Sequence, residues 1–267
     1  MLTCILECFT LFEIGKLSMI LVVSDIHGNA NALRAIIADA RQKYDIQKYA
    51  ILGDMFTLGP APLEVFEEIE KLPNFFFIRG NHEDYLFDRL HENNCPKIGN
   101  FDRGTKSYEK IRSSLQRTYQ TLGPERLKYI DGICLNEHIL EISKVKHYFC
   151  HASPQTNKVG IDPSEAEQYL ESIQNGCFWA GHVHHQILVR HQHKTFINPG
   201  GSGLPFDGDH RAPYAIIDSK GLPHIHRIAY NYQDSIQQLN QFPNDLFAPF
   251  MQKRYEYAKS VKHLLDE

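Results

Sequence analysis

The chain has little of what marks several large protein classes. Its six cysteines are scattered through 267 residues without a paired framework, which disfavours a disulfide-stapled secreted fold and predicts reduced thiols in the cytoplasm. No run reaches the roughly 18 apolar residues of a membrane span, so we expect no membrane partner. Basic residues are not in excess either, because 28 Lys and Arg stand against 32 Asp and Glu, for a net charge of -4. This balance argues against a nucleic-acid-binding surface.

The first 18 residues also lack the basic segment that a signal peptide needs, and two glutamates interrupt their mildly apolar sequence. We expect 1–18 to be an N-terminal extension of unknown role. With 42% hydrophobic residues overall, 19–267 is long enough to form one domain with a sizeable core. Within that domain, 84–131 predicts a partly helical insertion near the active site, and 231–267 predicts a helical C-terminal tail.

Apolar runs of strand length alternate with helical periodicity at the start of this domain. Continuous runs at 20–23, 49–52 and 75–78 are typical of buried strands, and amphipathic segments separate them. The order strand–helix–strand–helix–strand predicts right-handed crossovers and a largely parallel sheet. Two later strands are predicted at 146–150 and 177–180.

Each of these five strands ends in a short block of metal-ligand residue types. The blocks contribute Asp25 and His27, Asp54, Asn81 and His82, His151, and His182 and His184. A single histidine in such a place would be a surface or core group, but eight ligand types in order, each at a strand end, predict a joint site. Functional residues in open α/β sheets lie beyond the carboxyl ends of strands, so the blocks can converge and hold two divalent metals.

Read together, these blocks resemble a known family. Asp25-x-His27, Gly53-Asp54, Gly80-Asn81-His82-Glu83, His151 and Gly181-His182-x-His184 are similar to the signature of calcineurin-like metallophosphoesterases. Gly59-Pro60 and the turn Asn198-Pro199-Gly200 add a likeness to the compact bacterial branch, which includes small phosphodiesterases and dinucleoside-tetraphosphate hydrolases. The resemblance covers about 19–230. It implies an α/β fold, a four-layer αββα sandwich of two sheets with helices outside.

The resemblance also implies a role for each block. One metal would be held by Asp25, His27 and His184, the other by Asn81, His151 and His182, and Asp54 would bridge the two. His82 would not ligate a metal but would act as the general acid. Separately from the resemblance, the spacing permits Glu83 or Asp84 to orient its imidazole.

This ligand set indicates a reaction as well as a site. Two dications roughly 3.5–4 Å apart share a water and lower its pKa enough to form hydroxide near neutral pH. We therefore expect a phosphoesterase in which a metal-bridging hydroxide attacks phosphorus and His82 protonates the leaving alkoxide. Imidazole, carboxylate and amide ligands without thiolate suit manganese first, with iron, zinc, cobalt, nickel or magnesium as alternatives. The expected substrate is a small phosphoester or nucleotide.

Three positions are predicted to contact the substrate. The string from Arg79 to Glu83 also resembles the serine/threonine protein phosphatases of the same superfamily, in which the arginine contacts the phosphoryl group. Arg79 and Asn81 are therefore predicted contacts, although Arg79 could instead pair with a core carboxylate. Backbone amides of the turn at Gly200 could line the phosphate pocket, unless this turn only closes a hairpin.

The sequence leaves three functions open. A phosphodiesterase or dinucleoside-polyphosphate hydrolase is favoured. A phosphomonoesterase or protein phosphatase is the alternative, but the Asp-Arg-Gly of protein phosphatases is replaced by Thr57-Leu58-Gly59. A non-catalytic scaffold of the same fold is disfavoured because His82 is present. The natural substrate and the oligomeric state stay open.

Overall fold

The computed structural model describes residues 19–92 and 95–261, so the predicted extension at 1–18 lies outside it. The first half of the chain contains β1 Met19–Val23, α1 Ala30–Lys43, β2 Ile46–Ile51, α2 Pro62–Glu70, β3 Phe75–Ile78, α3 Asn81–Phe87, β4 Lys97–Ile98, β5 Phe101–Asp102, α4 Lys106–Ile133 and β6 Cys134–Leu135. The second half contains β7 His138–Ile142, β8 Val145–Phe149, α5 Ala166–Ser172, β9 Gly176–Trp179, β10 Ile187–His191, β11 Lys194–Asn198, β12 Ala212–Ile217, β13 Pro223–Ile228, α6 Tyr232–Leu239 and α7 Ala248–Tyr257.

Two sheets form the centre of the molecule. The six-stranded sheet has the order β13-β12-β1-β2-β3-β6, and β1, β2, β3 and β6 run parallel. The five-stranded sheet has the order β10-β11-β9-β8-β7, with β8, β9 and β11 parallel. The predicted parallel start of the first sheet is therefore confirmed.

Alternation along the strands explains why the two sheets face each other. On β1, Val22 points into the layer between the sheets, where it meets Trp179 and Phe149 from the second sheet. Leu21 and Val23 point the other way and pack against the helices that cover the outer face of the first sheet. Because a strand buried on both faces needs apolar residues at every position, its sequence reads as a continuous run.

Helices close the outside of both sheets. Helices α1, α2, α4, α6 and α7 contribute to one large core on the first sheet, whereas α5 packs against the second. The resulting order of layers is helix, sheet, sheet, helix, so the predicted αββα sandwich is confirmed.

The segment 84–131 holds the small hairpin β4–β5 and most of α4. Thr105 caps α4 by accepting from the backbone N–H of Tyr108 at 3.2 Å. The helix is interrupted at Gly123, the residue before Pro124, because the φ of Gly123 is 73° and lies outside the helical region. Its Leu115 and Leu122 are buried against the outer helical layer.

Candidate metal centre

The predicted ligands lie on tight loops at the carboxyl ends of the strands. Five of these predicted ligands have a positive φ, namely Asp25, His27, Asp54, His182 and His184. Such left-handed conformations are uncommon for residues with a side chain, and they persist only where the surroundings impose them. Backbone hydrogen bonds hold the first two, because Asp25 donates to Gly53 O and His27 to Asp54 O, both at 3.0 Å.

Asp25, His27 and His184 form the first group. Nε2 of His27 lies 3.2 Å from Nε2 of His184, and the Asp25 Oδ1 oxygen lies 3.4 Å from the His184 nitrogen and 4.0 Å from that of His27. All three side chains are buried. They come from two loops that are far apart in sequence, as the convergence argument predicted.

Asn81, His151 and His182 form the second group. The Asn81 Oδ1 oxygen lies 3.2 Å from Nε2 of His151 and 2.9 Å from Nδ1 of His182. Asn81 opens α3, so the helix start aims its amide at the two histidines. An amide oxygen and two imidazole nitrogens at one point make a set that suits a divalent transition metal.

Asp54 stands between the two groups. Its Oδ2 oxygen lies 3.4 Å from Nε2 of His151 and 3.9 Å from Nε2 of His27. Its other oxygen, Oδ1, accepts from the backbone N–H of His82 at 2.9 Å. One carboxylate oxygen therefore faces both groups while the second oxygen fixes the orientation of the side chain.

The surroundings of these ligands fit metal ions. Nδ1 of His184 lies 2.6 Å from Leu204 O and Nδ1 of His151 lies 2.6 Å from Leu52 O, so each Nδ1–H donates to a carbonyl and each Nε2 faces inward. Among the described residues, the buried Asp25 Oδ1 has no hydrogen-bond donor. A buried carboxylate oxygen without a donor is costly, and a cation between these ligands would satisfy it.

The charges of His151 and Asp54 also fit a bound cation. Burial alone would lower the pKa of His151, but the Asp54 carboxylate outweighs it and raises this pKa to about 10. Burial would raise the pKa of Asp54, but the neighbouring His151 holds it well below its usual value. Without a metal, a proton on His151 therefore supplies positive charge beside the carboxylate. A bound cation would displace that proton.

His82 lies beside Asp54 at the start of α3. Its ring is perpendicular to that of His27, with centroids 5.0 Å apart, and its Nδ1 lies 2.7 Å from Oγ1 of Thr57. A nitrogen of His82 also comes within 4.8 Å of ligand atoms of His27 and Asp54. The imidazole is thus at the edge of the centre and held from behind by a hydroxyl.

Thr57 is the partner that sequence reasoning missed. The prediction that Glu83 or Asp84 orients His82 is wrong. Glu83 instead accepts backbone N–H groups of Asp54 at 2.7 Å, Met55 at 2.9 Å and Gly80 at 2.9 Å. The available signal was the spacing, because Thr57 occupies the place of the aspartate in Asp-Arg-Gly.

Arg79 is held by carboxylates at the mouth of the site. Its guanidinium pairs with Asp131 and lies 3.6 Å from Asp84, so its partners are partly exposed carboxylates and not a core carboxylate. Arg79 also lines a polar cavity of about 470 Å³, together with His151. A phosphate contact by Arg79 stays a prediction.

The predicted role of Gly200 needs correction. Its backbone N–H donates to Oδ1 of Asn198 at 2.9 Å, so this amide is already used. Further along the turn, the N–H of Ser202 donates to Ser24 O at 2.8 Å and that of Gly203 to Asp25 O at 3.2 Å. The turn therefore holds the first ligand loop in place and does not present the Gly200 amide to a phosphate.

Comparison with known proteins decides the family. The model of the calcineurin-like phosphoesterase superfamily domain matches 19–221. The chain belongs to this superfamily. It is a metallophosphoesterase, a metal-dependent hydrolase of phosphoester bonds, and the resemblance inferred from the ligand blocks is confirmed. Helices α6 and α7 lie beyond the matched residues.

The three relatives described below share between 22% and 28% sequence identity with this metallophosphoesterase. An uncharacterized protein of Methanocaldococcus jannaschii is 28% identical over 250 residues, which covers 85% of this metallophosphoesterase and 94% of that protein. The crystal structure of a metallophosphoesterase from Sphaerobacter thermophilus has a TM-score of 0.68 at 24% identity, covering 90% and 99% of the two chains. A hypothetical protein from Pyrococcus horikoshii OT3 has a TM-score of 0.69 at 22% identity, covering 86% and 96%. These two structures share the fold.

In the described ranges, 19–92 and 95–261, this metallophosphoesterase has no helix that combines the length and the apolar character of a membrane span.

Proposed function

We propose that this metallophosphoesterase is a two-metal phosphodiesterase or dinucleoside-polyphosphate hydrolase. One cation would be held by Asp25, His27 and His184, the other by Asn81, His151 and His182, with Asp54 shared by both. The observation that carries the proposal is the position of Asp54, whose Oδ2 faces His151 on one side and His27 on the other. A shared carboxylate offsets the repulsion between two adjacent dications.

Manganese is the proposed metal at both positions. The ligand atoms are imidazole nitrogens and carboxylate or amide oxygens, and no thiolate belongs to either group. This set suits manganese, with iron, zinc, cobalt, nickel or magnesium as alternatives. When bound, the two cations would supply a hydroxide nucleophile and neutralise charge on the phosphate.

His82 would donate a proton to the leaving oxygen. Burial lowers the pKa of this imidazole, which makes its protonated form a stronger acid and leaves less of that form at neutral pH. The Thr57 hydroxyl 2.7 Å from Nδ1 fixes the ring, which leaves Nε2 as the nitrogen that can reach the substrate. His82 is placed next to the shared carboxylate by the hydrogen bond from its own N–H to Asp54 Oδ1. General acid catalysis of this kind contributes about 10²–10⁴-fold.

A diester or phosphoanhydride substrate is favoured over a phosphorylated protein. The phosphatase arginine of the Asp-Arg-Gly motif is replaced by Leu58, which is buried, and Arg79 is already paired with Asp131. Fewer free cations at the centre suit a phosphate with one negative charge. The polar cavity of about 470 Å³ beside His151 has room for part of a small substrate such as a nucleotide. We propose that the reaction takes place in the cytoplasm.

The test is a substrate panel on protein that has been stripped of metal and reloaded with manganese. Bis-p-nitrophenyl phosphate and a dinucleoside tetraphosphate should be turned over with a kcat/KM at least about tenfold above that of p-nitrophenyl phosphate. A preference for the monoester would contradict the proposal in favour of the phosphomonoesterase alternative. Failure of the loaded protein to hydrolyse any phosphoester would contradict both.

A further inference from the structure

Helix α4 holds the loop behind His82 through a buried arginine. The hydroxyl of Thr57 contacts His82, and the next residue along the chain is Leu58. The Leu58 carbonyl accepts a hydrogen bond from Nη2 of Arg117 at 3.0 Å. Nε of the same guanidinium donates to Oδ2 of Asp245 at 2.6 Å. Both side chains of this ion pair are buried, so one guanidinium links α4, the segment before α7 and the loop at 57–59.

Leu58 has a conformation that needs support. Its φ is 74°, in the left-handed region that residues with a side chain rarely adopt. Such a conformation persists only where the surroundings impose it. The loop packs tightly on neighbouring backbone, because a Cβ on Gly59 would lie 2.0 Å from His27 O, and Arg117 holds the Leu58 carbonyl. Loss of that hydrogen bond would let the peptide rotate and carry Thr57 with it.

Asp245 fixes the direction of the arginine. Its Oδ1 accepts from the backbone N–H of Phe247 at 2.9 Å, so the carboxylate is itself held just before α7. The Arg117 guanidinium carbon also lies 4.5 Å from the centroid of the Phe242 ring. Because arginine presents its donors as a rigid fork, fixing Nε also fixes Nη2 toward the Leu58 carbonyl. A buried ion pair adds little net stability over apolar residues of similar size, so the orientation that it provides is the more informative property.

His82 depends on this loop for the contact that orients its ring. Its backbone N–H donates to Asp54 Oδ1 at 2.9 Å, which fixes the position of the residue but leaves the ring free to rotate. Oγ1 of Thr57 lies 2.7 Å from Nδ1 and sets that rotation. A displacement of Thr57 therefore turns the imidazole, and misplacing a catalytic group by about 1 Å can cost on the order of 10²-fold in rate.

We propose that Arg117 and Asp245 are a positioning pair for His82: they hold the Leu58 carbonyl and thereby keep Thr57 in place behind the imidazole. The inference rests on the proposed function, in which His82 is the acid, and adds two residues that act through it. Asp245 lies outside 19–221, the residues that the superfamily model matches. The C-terminal segment of this chain thus takes part in orienting a residue of the matched domain.

The variant that tests the pair removes both charges together. Arg117→Met alone would leave Asp245 buried without its partner and destabilise the protein. In the double variant Arg117→Met/Asp245→Asn no lone charge remains. The methionine still covers the ring of Phe242, and the asparagine Oδ1 can still accept from the N–H of Phe247. The Tm and the metal content should therefore stay close to those of wild type, while the donor to the Leu58 carbonyl is gone.

Kinetics on two substrates show whether the pair acts through His82. For a 2′,3′-cyclic nucleotide, whose alkoxide leaving group needs a proton, kcat of the double variant should fall roughly tenfold while KM stays the same. For bis-p-nitrophenyl phosphate the fall should be less than about threefold. In a Thr57→Val background the double variant should cause almost no further loss, because both changes break the same chain of contacts. An unchanged kcat, or losses that multiply, would overturn the inference.

The orientation of His82 can also be followed without turnover. In protein with isotope-labelled histidine, the nuclear magnetic resonance signals of the His82 ring are assigned by their loss in His82→Ala. These signals should move in the double variant in the same direction as in Thr57→Val, and unmoved signals would overturn the inference. If wild type hydrolyses no phosphoester, the proposed function fails, and this spectrum still decides whether the pair orients His82.

Arg126→Met is the matched control for the double variant. Arg126 is another arginine of α4, but it lies over the ring of Phe66 and donates to Leu122 O at 3.1 Å, within its own helix. Its loss should leave kcat on both substrates and the His82 signals unchanged. A clear fall in the Tm of the double variant with unchanged kcat would show a structural role instead.

Asp245→Asn alone decides the question where the double variant does not fold. This change weakens the ion pair without removing the arginine from the Leu58 carbonyl. It should shift the His82 signals and lower kcat on the cyclic nucleotide in the same direction as the double variant, by a smaller amount. The absence of both changes in a folded Asp245→Asn protein would contradict the positioning role.

Discussion

At the scale of single residues, His82 is the group whose role the geometry separates from that of its neighbours. Its imidazole lies at the edge of the centre with Nδ1 held by Thr57, and in the proposed mechanism Nε2 faces the substrate. His82→Ala should keep two metals but lose about 10²-fold or more in kcat on a diester with an alkoxide leaving group, such as a 2′,3′-cyclic nucleotide. The loss should be smaller for bis-p-nitrophenyl phosphate, whose leaving group needs little protonation. Steady-state kinetics and metal analysis make the comparison.

His185 provides the matched control for this prediction. It is the next histidine after the last ligand block, and its Nδ1 lies 2.8 Å from Val183 O, outside both metal groups. His185→Ala should keep both the metal content and the activity. A loss of metal in His82→Ala would mean that His82 is a ligand, which its distance from His27 and Asp54 permits.

Thr57 acts through His82 and is expected to be a positioning residue. Thr57→Val preserves the shape of the buried side chain but leaves Nδ1 of His82 without its partner, and losing such a hydrogen bond costs about 1–3 kcal/mol. We expect kcat to fall roughly tenfold while KM stays the same. Thr57→Ser should restore most of the loss, because the hydroxyl returns. Full activity in Thr57→Val would show that the hydroxyl is not needed. Equal losses in Thr57→Ser and Thr57→Val would show that the hydroxyl alone is not sufficient and that the methyl group is needed as well.

At the scale of elements, the ligand loops depend on glycines that allow close backbone approach. A Cβ on Gly203 would lie 2.0 Å from Ile26 O, in the middle of the loop between Asp25 and His27. Because this neighbour is backbone, Gly203→Ala should displace the loop, destabilise the protein by about 1–3 kcal/mol and weaken metal binding. Gly132→Ala is the control, since a Cβ there meets nothing within 4 Å, and it should be neutral or stabilising. Equal behaviour of the two variants in urea unfolding would refute the argument.

The same elements show how far sequence reasoning reaches. Strands such as β1 can be predicted from the sequence because burial on both faces leaves a continuous apolar run. The parallel order of β1 and β2 then puts Asp25 and Asp54 on one edge of the sheet. The hairpin β4–β5 was not predicted, because two-residue strands leave no periodicity to detect. The role of Gly200 was misassigned because a glycine-rich turn has the same sequence whether its amides bind a ligand or the neighbouring loop.

At the scale of the whole molecule, the layers are those that the family resemblance implied, but the contacts between distant elements do not follow from the sequence. Arg254 of α7 stacks on the ring of Phe206, which in turn stacks on the ring of His184, and no local pattern encodes that chain of contacts.

The stability of the whole molecule should also rise when metal binds. Buried carboxylates, converging imidazoles and five strained backbone positions all lie where the cations would bind, so the loaded state gains what the metal-free state lacks. Each manganese ion at about 100 times its dissociation constant should add about 2.7 kcal/mol to the free energy of unfolding. For a chain of this size that corresponds to a rise of roughly 5–10 °C in Tm for each ion, which calorimetry with and without chelator would measure.

Asp54→Asn is the variant that tests whether the two groups form one centre. Asparagine has the shape of aspartate but no charge to share, so both cations should bind more weakly and the rise in Tm should shrink to less than about half that of wild type. An undiminished rise would contradict the bridge. Loss of one metal with full retention of the other would show instead that the two groups bind independently. The rise in Tm depends on metal occupancy and not on turnover. Either result therefore tests the metal centre without any knowledge of the substrate.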